Sequence, residues 1–339
     1  MSAKVPQALP WLAPIWQRLS GQIQENRLGH ALLFLGQEGL GKRVMLREFS
    51  QQLLCLDSSP ASNLGPCGQC ASCHLFNAGS HPDLFMVEPE EAGKQIKIDQ
   101  IRKVTDFVNT TPQKGNHKVV LLGPAEAMNN NASNALLKSL EEPSSKTTLL
   151  LYSHQPGSLL ATIKSRCQLY SIYTPPWQQA LSWLEQNSQQ TRLESALRLA
   201  KGAPLKAIDL MEGEVHVQYM QFCQDMIDLQ QAKANWSVTL TKWKAWDSHW
   251  LMMWFYELVL DVQKIQAGLS QDTLAIQELH GQTAQVAKTS QYAQVQTLLD
   301  KLLDNQKAQL GQSNPNPVLI IETLLIDWLS LLGQSGQRI

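Results

Sequence analysis

The stretch "FLGQEGLGKR", Phe34 to Arg43, decides how the first half of the chain is read. Its spacing is G-x-x-x-x-G-K, that of a loop that wraps nucleotide phosphates. In such a loop the glycines let backbone N–H groups face the phosphates and the Lys neutralises their oxygens. A Ser or Thr hydroxyl then ligates Mg²⁺. Gly36, Gly39, Gly41 and Lys42 are all present, but Arg43 stands where the hydroxyl is required. A guanidinium has donors only and is cationic, so it repels Mg²⁺ rather than holding it. The other half of such a site is an acidic residue at the end of a neighbouring apolar strand. In "KVVLLGPAEAM" (118–128) that place is taken by Gly123 and Pro124, and Glu126 follows only beyond the proline. Both metal-side positions fail together, which argues against ATP hydrolysis by this chain. Weak metal-free nucleotide binding, or a turn with no ligand at all, remain open.

Outward from that loop, short apolar runs alternate with amphipathic stretches from about residue 28 to 172. The runs are "HALLFLG" (30–36), "LFMV" (84–87), "KVVLLG" (118–123), "TLLLYS" (148–153) and "CQLYSI" (167–172); the amphipathic stretches are 42–55, 98–109 and 129–141. Continuous apolar runs are the mark of buried parallel strands, and the alternation implies crossover helices on both faces of a sheet. The expectation is a doubly wound α/β domain of about five parallel strands. Ligands in such a sheet sit beyond the carboxyl ends of the strands, where the loop 36–43 falls.

"TPPWQQ" (174–179) breaks this pattern and reads as a linker. Helical periodicity follows to about residue 213, and again from 214 to the end. This predicts an α/β domain over 1–173, a small helical domain over 174–213 and an all-helical domain over 214–339. Trp243, Trp246, Trp250 and Trp254 recur at helical spacing, as one helix face. A base-stacking platform and a packing core are the two readings of that face, and core is the commoner. "SNPNP" (313–317) ends one helix and opens the last. The most apolar segment, "VLIIETLLIDWLSLL" (318–332), carries Glu322 and Asp327 and is short for a bilayer, so it reads as a buried helix. The N-terminal stretch has no signal-peptide pattern. A cytoplasmic protein without a membrane partner is expected. The formal net charge of -1 gives no global basic field, so any nucleic-acid contact must be local or shared with partners.

Cys55, Cys67, Cys70 and Cys73 form C-x₁₁-C-x₂-C-x₂-C. Two successive C-x₂-C steps bring thiolates close enough for tetrahedral Zn²⁺, and Cys55 closes the fourth corner. Disulfides are the competing reading, disfavoured where thiols stay reduced. Four protein ligands leave no open position, so the zinc is structural and pins an insertion, about 55–75, with little core of its own. The surrounding residues 57–81 include no Lys or Arg, which makes the module a poor reader of nucleic-acid phosphates. Cys167 and Cys223 are read as ordinary buried cysteines. "IKSRCQ" places Arg166 on a loop before the fifth run; alone it is a surface cation, unless it faces another chain's nucleotide.

"HALLFLGQEGLGK", "CGQCASC" with Cys55, "HPDLFMVEP", "NALLKSLEEP" (134–143) and "IKSRCQ" occur together and in order. On these stretches the chain resembles the bacterial clamp-loader proteins of the AAA+ class, closely over 1–175. More loosely, "RLAKGAPLKAIDL" and "NPNPVLIIETLLIDWL" look like that family's lid and collar helices. The resemblance implies a five-chain ring with ATPase motor subunits (gamma/tau) and a delta subunit. Such a ring opens the sliding clamp and places it on primed DNA, within the DNA polymerase III holoenzyme. The family's motor subunits keep the hydroxyl and the strand-end acids that this chain lacks, and an Arg in the lid where Lys206 stands here. What the resemblance therefore implies is a member that does not hydrolyse ATP. It would supply Arg166 in trans, as an arginine finger, to a neighbour's site. An ATP-hydrolysing motor-type subunit is the alternative.

Overall fold

The structure, a computed structural model, describes residues 8–57, 65–91, 93–115, 117–142, 146–190, 192–310 and 316–332. The chain divides into two compact units, 1–176 and 177–339. In the first unit the five apolar runs become β1 (Ala31–Leu35), β2 (Leu84–Val87), β3 (Lys118–Leu122), β4 (Thr147–Ser153) and β5 (Gln168–Ser171). All pairings are parallel and the order across the sheet is β2-β3-β4-β1-β5.

Alternate residues of each strand point to opposite faces. Leu33, Val120, Leu122, Leu149 and Leu151 therefore share one core, while Leu32, Phe34, Val119 and Leu121 are equally buried on the other face. Burial on both faces explains why the runs are apolar without alternation. The connecting helices are α1 (Ala13–Gln24), α2 (Lys42–Leu54), α3 (Ala71–Asn77), α4 (Ile98–Val108), α5 (Asn130–Glu141) and α6 (Ala161–Lys164). Ile101, Val104 and Val108 make the buried stripe of α4, and Ala132, Leu136 and Leu140 that of α5; both stripes close over the first core. On the opposite face α1 meets α2 through Trp16 and Phe49, whose rings meet edge to face at 6.0 Å.

The chain leaves β1 toward the β2 side of the sheet and leaves β4 toward β5, on the other side. β1 and β4 thus border a topological switch point, and ligands in open α/β sheets bind beyond the strand ends there. The loop 36–41 follows β1 at that place.

Every further element described is helical: α7 (Trp177–Asn187), α8 (Leu193–Leu199), α9 (Pro204–Met211), α10 (Gly213–Gln230), α11 (Trp236–Trp243), α12 (Ser248–Gln266), α13 (His280–Thr289), α14 (Tyr292–Leu310) and α15 (Pro317–Leu331), besides two single turns of 3₁₀ helix. The tryptophan stripe expected on one helix is divided. Trp243 ends α11, Trp246 lies in the connection, and Trp250 and Trp254 belong to α12. The cause is Asp247, whose side chain accepts from His249 N–H at 2.9 Å and starts a new helix. The packing reading holds for Trp243 and Trp254, both fully buried around Phe222 and Phe255. Trp243 Nε1 donates to Asp225 at 2.8 Å, so the indole's one polar atom is satisfied in the core.

The segment 318–332 is the buried helix the sequence predicts. Asn316 caps α15, Ile320, Ile321, Leu324, Leu325 and Trp328 are buried, and Asp327 pairs with Lys301 at 2.7 Å. Residues 313–315 of "SNPNP" lie outside the described residues. Among the described residues no helix is long and apolar enough to cross a membrane.

Candidate functional site

Gly36 follows β1 where a Cβ would stand 2.4 Å from the Ile172 carbonyl oxygen, so only glycine lets β5 close on β1. Gly39 and Gly41 have φ of 80° and 87°, the left-handed region, and turn the chain into α2. Lys42, the first residue of α2, is 2% exposed. Its Nζ donates to the carbonyl oxygens of Gly36 and Gln37, each at 2.6 Å. The ammonium that would face phosphates is bonded to the loop's own carbonyls. Burial lowers its pKa to about 8, against the pull of Glu126 and Glu38. Trp11 Nε1 donates to Leu40 O at 2.9 Å and ties the preceding segment onto the same loop.

On the metal side Arg43 is engaged by Glu88, which follows β2. Arg43 Nε lies 2.5 Å from Oε1 and Nη2 lies 2.7 Å from Oε2, a bidentate pair. That hydrogen bonding raises the Arg43 pKa further. Tyr152, near the end of β4, donates its hydroxyl to Glu88 Oε1 at 3.4 Å. A Cβ added at Gly123 would lie 2.6 Å from ring carbons of Tyr152. A strand-end acid has no room, because the aromatic ring fills its place. Glu126 sits in a single 3₁₀ turn beyond Pro124, and its Oε1 accepts from His154 N–H at 2.8 Å.

The four cysteines converge as expected. Their sulfurs all lie within 4.8 Å of one another, and none is in a disulfide. Cys55 Sγ is 3.9 Å from Cys70 Sγ, and Cys67 Sγ is 3.9 Å from Cys73 Sγ. Tetrahedral zinc with Zn–S of ~2.3 Å sets sulfurs ~3.8 Å apart, so the four thiols fit such an ion. Backbone N–H groups aim at the sulfurs: Gln69 N and Cys70 N at Cys67, Cys73 N at Cys70, and Cys67 N at Cys55. Such donors stabilise thiolates. His81 fastens this module to the domain. Its Nδ1 accepts from Asp83 N–H at 3.1 Å, so Nε2 carries the proton toward Ser72 Oγ at 2.7 Å. Ser72 in turn donates to Leu54 O at 2.5 Å, at the end of α2. The middle of the cysteine loop, 58–64, lies outside the described residues.

Arg166 stands in the turn after α6, its side chain 35% exposed. Nη2 is 2.6 Å from Glu141 Oε1 at the end of α5, and Nη1 donates to Thr162 O at 3.0 Å. Cys167 is half-buried rather than buried, whereas Cys223 is buried; burial pushes both thiols up to about 12. Lys206, in the second unit, places its Nζ 5.7 Å from the centre of the Trp250 ring.

Comparison with known proteins places the chain among relatives. The family described as "DNA polymerase III, delta subunit" matches residues 11–176, and "DNA polymerase III, delta subunit, C terminal" matches 216–330. A Pseudomonas aeruginosa protein named DNA polymerase III subunit delta' is 39% identical over 96% of this chain and 98% of its own. The chain belongs to the DNA polymerase III subunit delta' family. The Escherichia coli protein of that name is 31% identical over 94% of each chain. Among solved structures, a DNA polymerase III gamma subunit-related protein from Thermotoga maritima is 19% identical, with a TM-score of 0.48 over 94% of this chain and 99% of that one.

In this delta' family member, sequence reasoning singled out the loop, the cysteines and Arg166; it did not foresee that Glu88 and Tyr152 gather at Arg43, or that Glu141 pairs with Arg166. Glu88 had a signal: it directly follows a strand, at the edge where ligand-binding groups collect. Tyr152 had none, since a tyrosine ending an apolar run reads as core.

Proposed function

We propose that this chain is the non-hydrolysing delta-prime subunit of the DNA polymerase III clamp loader. In this reading it sits in a five-chain ring with gamma/tau motor subunits and delta, in the cytoplasm. It helps open the sliding clamp and place it on primed DNA. Residues 1–173 are an AAA+ domain whose cysteine module holds one structural zinc. Residues 174–213 form the lid and 214–339 the collar through which the ring assembles. The chain's own residues do no ATP chemistry at the loop; instead Arg166 reaches a neighbour's nucleotide, where a guanidinium stabilises charge developing on the transferred phosphoryl group.

The observation that carries this reading is the metal side. Arg43 takes the hydroxyl's position in the loop and is paired with Glu88, and the Tyr152 ring fills the space a side chain at Gly123 would need, while Arg166 keeps a half-exposed guanidinium elsewhere. The test is Arg166→Ala in the reconstituted complex with clamp and primed DNA. Loss of a strict arginine finger lowers turnover at one site by about 10³–10⁵. The fall for the whole complex is smaller where other sites bring arginines of their own. An unchanged ATPase rate together with unchanged clamp loading would overturn the proposal.

A further inference from the structure

We infer that Glu141 is a positioning residue for Arg166, holding its guanidinium in one orientation before a neighbour's nucleotide arrives. The inference rests on the reading of Arg166 given above. Glu141 is the last residue of α5, and its oxygen lies 2.6 Å from Arg166 Nη2. The opposite nitrogen, Nη1, donates to Thr162 O at 3.0 Å and lies 3.4 Å from Ser165 Oγ. Both amino groups are thus tied to the arginine's own domain. A guanidinium carries five N–H donors. Nε–H has no partner among the described residues.

The holding end is itself fixed. Leu140 is buried, its carbonyl meets His30 Nε2 at 3.2 Å, and Glu142 N–H donates to Lys138 O at 3.0 Å. α5 also packs against α6, which carries the Thr162 carbonyl. The pair therefore bridges two elements that do not shift independently. With side chains 35% and 48% exposed, it contributes little to folding. An arginine that must meet a phosphate in a defined geometry gains from being held in advance, because rotamer freedom is then lost before docking.

The test uses the complex reconstituted with its ATPase partners, clamp and primed DNA, with kcat and KM for ATP measured separately. Variants are Arg166→Ala, Glu141→Ala, Glu141→Gln and the double Arg166→Ala/Glu141→Ala, each checked for an unchanged melting temperature. We expect Glu141→Ala to lower kcat at least about twofold toward the Arg166→Ala value, with KM unchanged. Glu141→Gln keeps an acceptor oxygen and should recover half of that loss or more, and the double variant should match Arg166→Ala. A wild-type rate in Glu141→Ala, beside a lowered rate in Arg166→Ala, would overturn the positioning role alone. So would a rate above wild type, the mark of a carboxylate that withholds the arginine, or an equal loss without Arg166. An unchanged rate in Arg166→Ala would instead overturn the arginine reading itself.

Discussion

Replacing Lys42 by methionine separates a loop closed on its own lysine from one that keeps the ammonium free for phosphate. Two effects oppose each other near neutral pH. Lys42→Met leaves the Gly36 and Gln37 carbonyls without their donor, at about 1–3 kcal/mol each. It also removes a desolvated charge, whose pKa falls from 10.5 to about 8 on folding. That fall corresponds to ~3 kcal/mol, so the net change at neutral pH is small. The informative quantity is the slope. A lysine whose folded pKa is depressed is protonated in the unfolded chain, and already neutral in the folded one, between about 8 and 10.5. Stability therefore rises with pH across that window. Wild type should gain ~2 kcal/mol relative to Lys42→Met between about pH 7.5 and about pH 9.5, because the methionine variant lacks this titration. Urea unfolding of the isolated chain at several pH values measures the difference, and other titrating groups cancel between the two proteins. Curves that stay parallel across the window would mean that Lys42 is solvated like an ordinary surface lysine, and the closed-loop reasoning would fail.

The reduced, purified chain should carry about one zinc per molecule, and Cys73→Ser should lower zinc affinity at least about tenfold along with the melting temperature; a folded, stable wild type without metal would contradict the module's assignment. His81 is held neutral by burial, with its pKa below 6.5, so its contribution is present above that pH and is lost as pH falls below it. His81→Gln should flatten this acid-side loss in a pH series of melts, and identical slopes would count against the His81–Ser72 fastening. Gly123→Ala should cost about 1–3 kcal/mol, since its Cβ meets the Tyr152 ring, and less than half of that in a Tyr152→Ala background. Equal costs in both backgrounds would show that the ring does not fill the acid's place.

The sheet was legible because all five strands lie in one parallel sheet with helices on both faces, which makes short continuous apolar runs such as 118–122 stand out between amphipathic stretches. The loop and the cysteines were legible because their chemistry depends on local spacing. What escaped depends on strand order and side-chain reach. Arg43 and Glu88 lie 45 residues apart, and β2 stands three places from β1 in the sheet, so no local pattern pairs them. Gly123 read as a missing acid; its physical reason, the Tyr152 ring, comes from the neighbouring strand. Glu141 carried no local signal within "NALLKSLEEP", because its partner arrives from a turn 25 residues on. The tryptophan spacing misled for a local reason: "WDSHW" contains a helix cap at Asp247, which outweighs the apolar period.

Calorimetry of Mg²⁺-ATP binding to the isolated chain tests the central claim most directly. With Lys42 bonded to the loop and Arg43 held by Glu88, no binding heat is expected, with or without Mg²⁺. Tight binding that requires Mg²⁺ would contradict the claim and return this chain to the class of ATPase subunits.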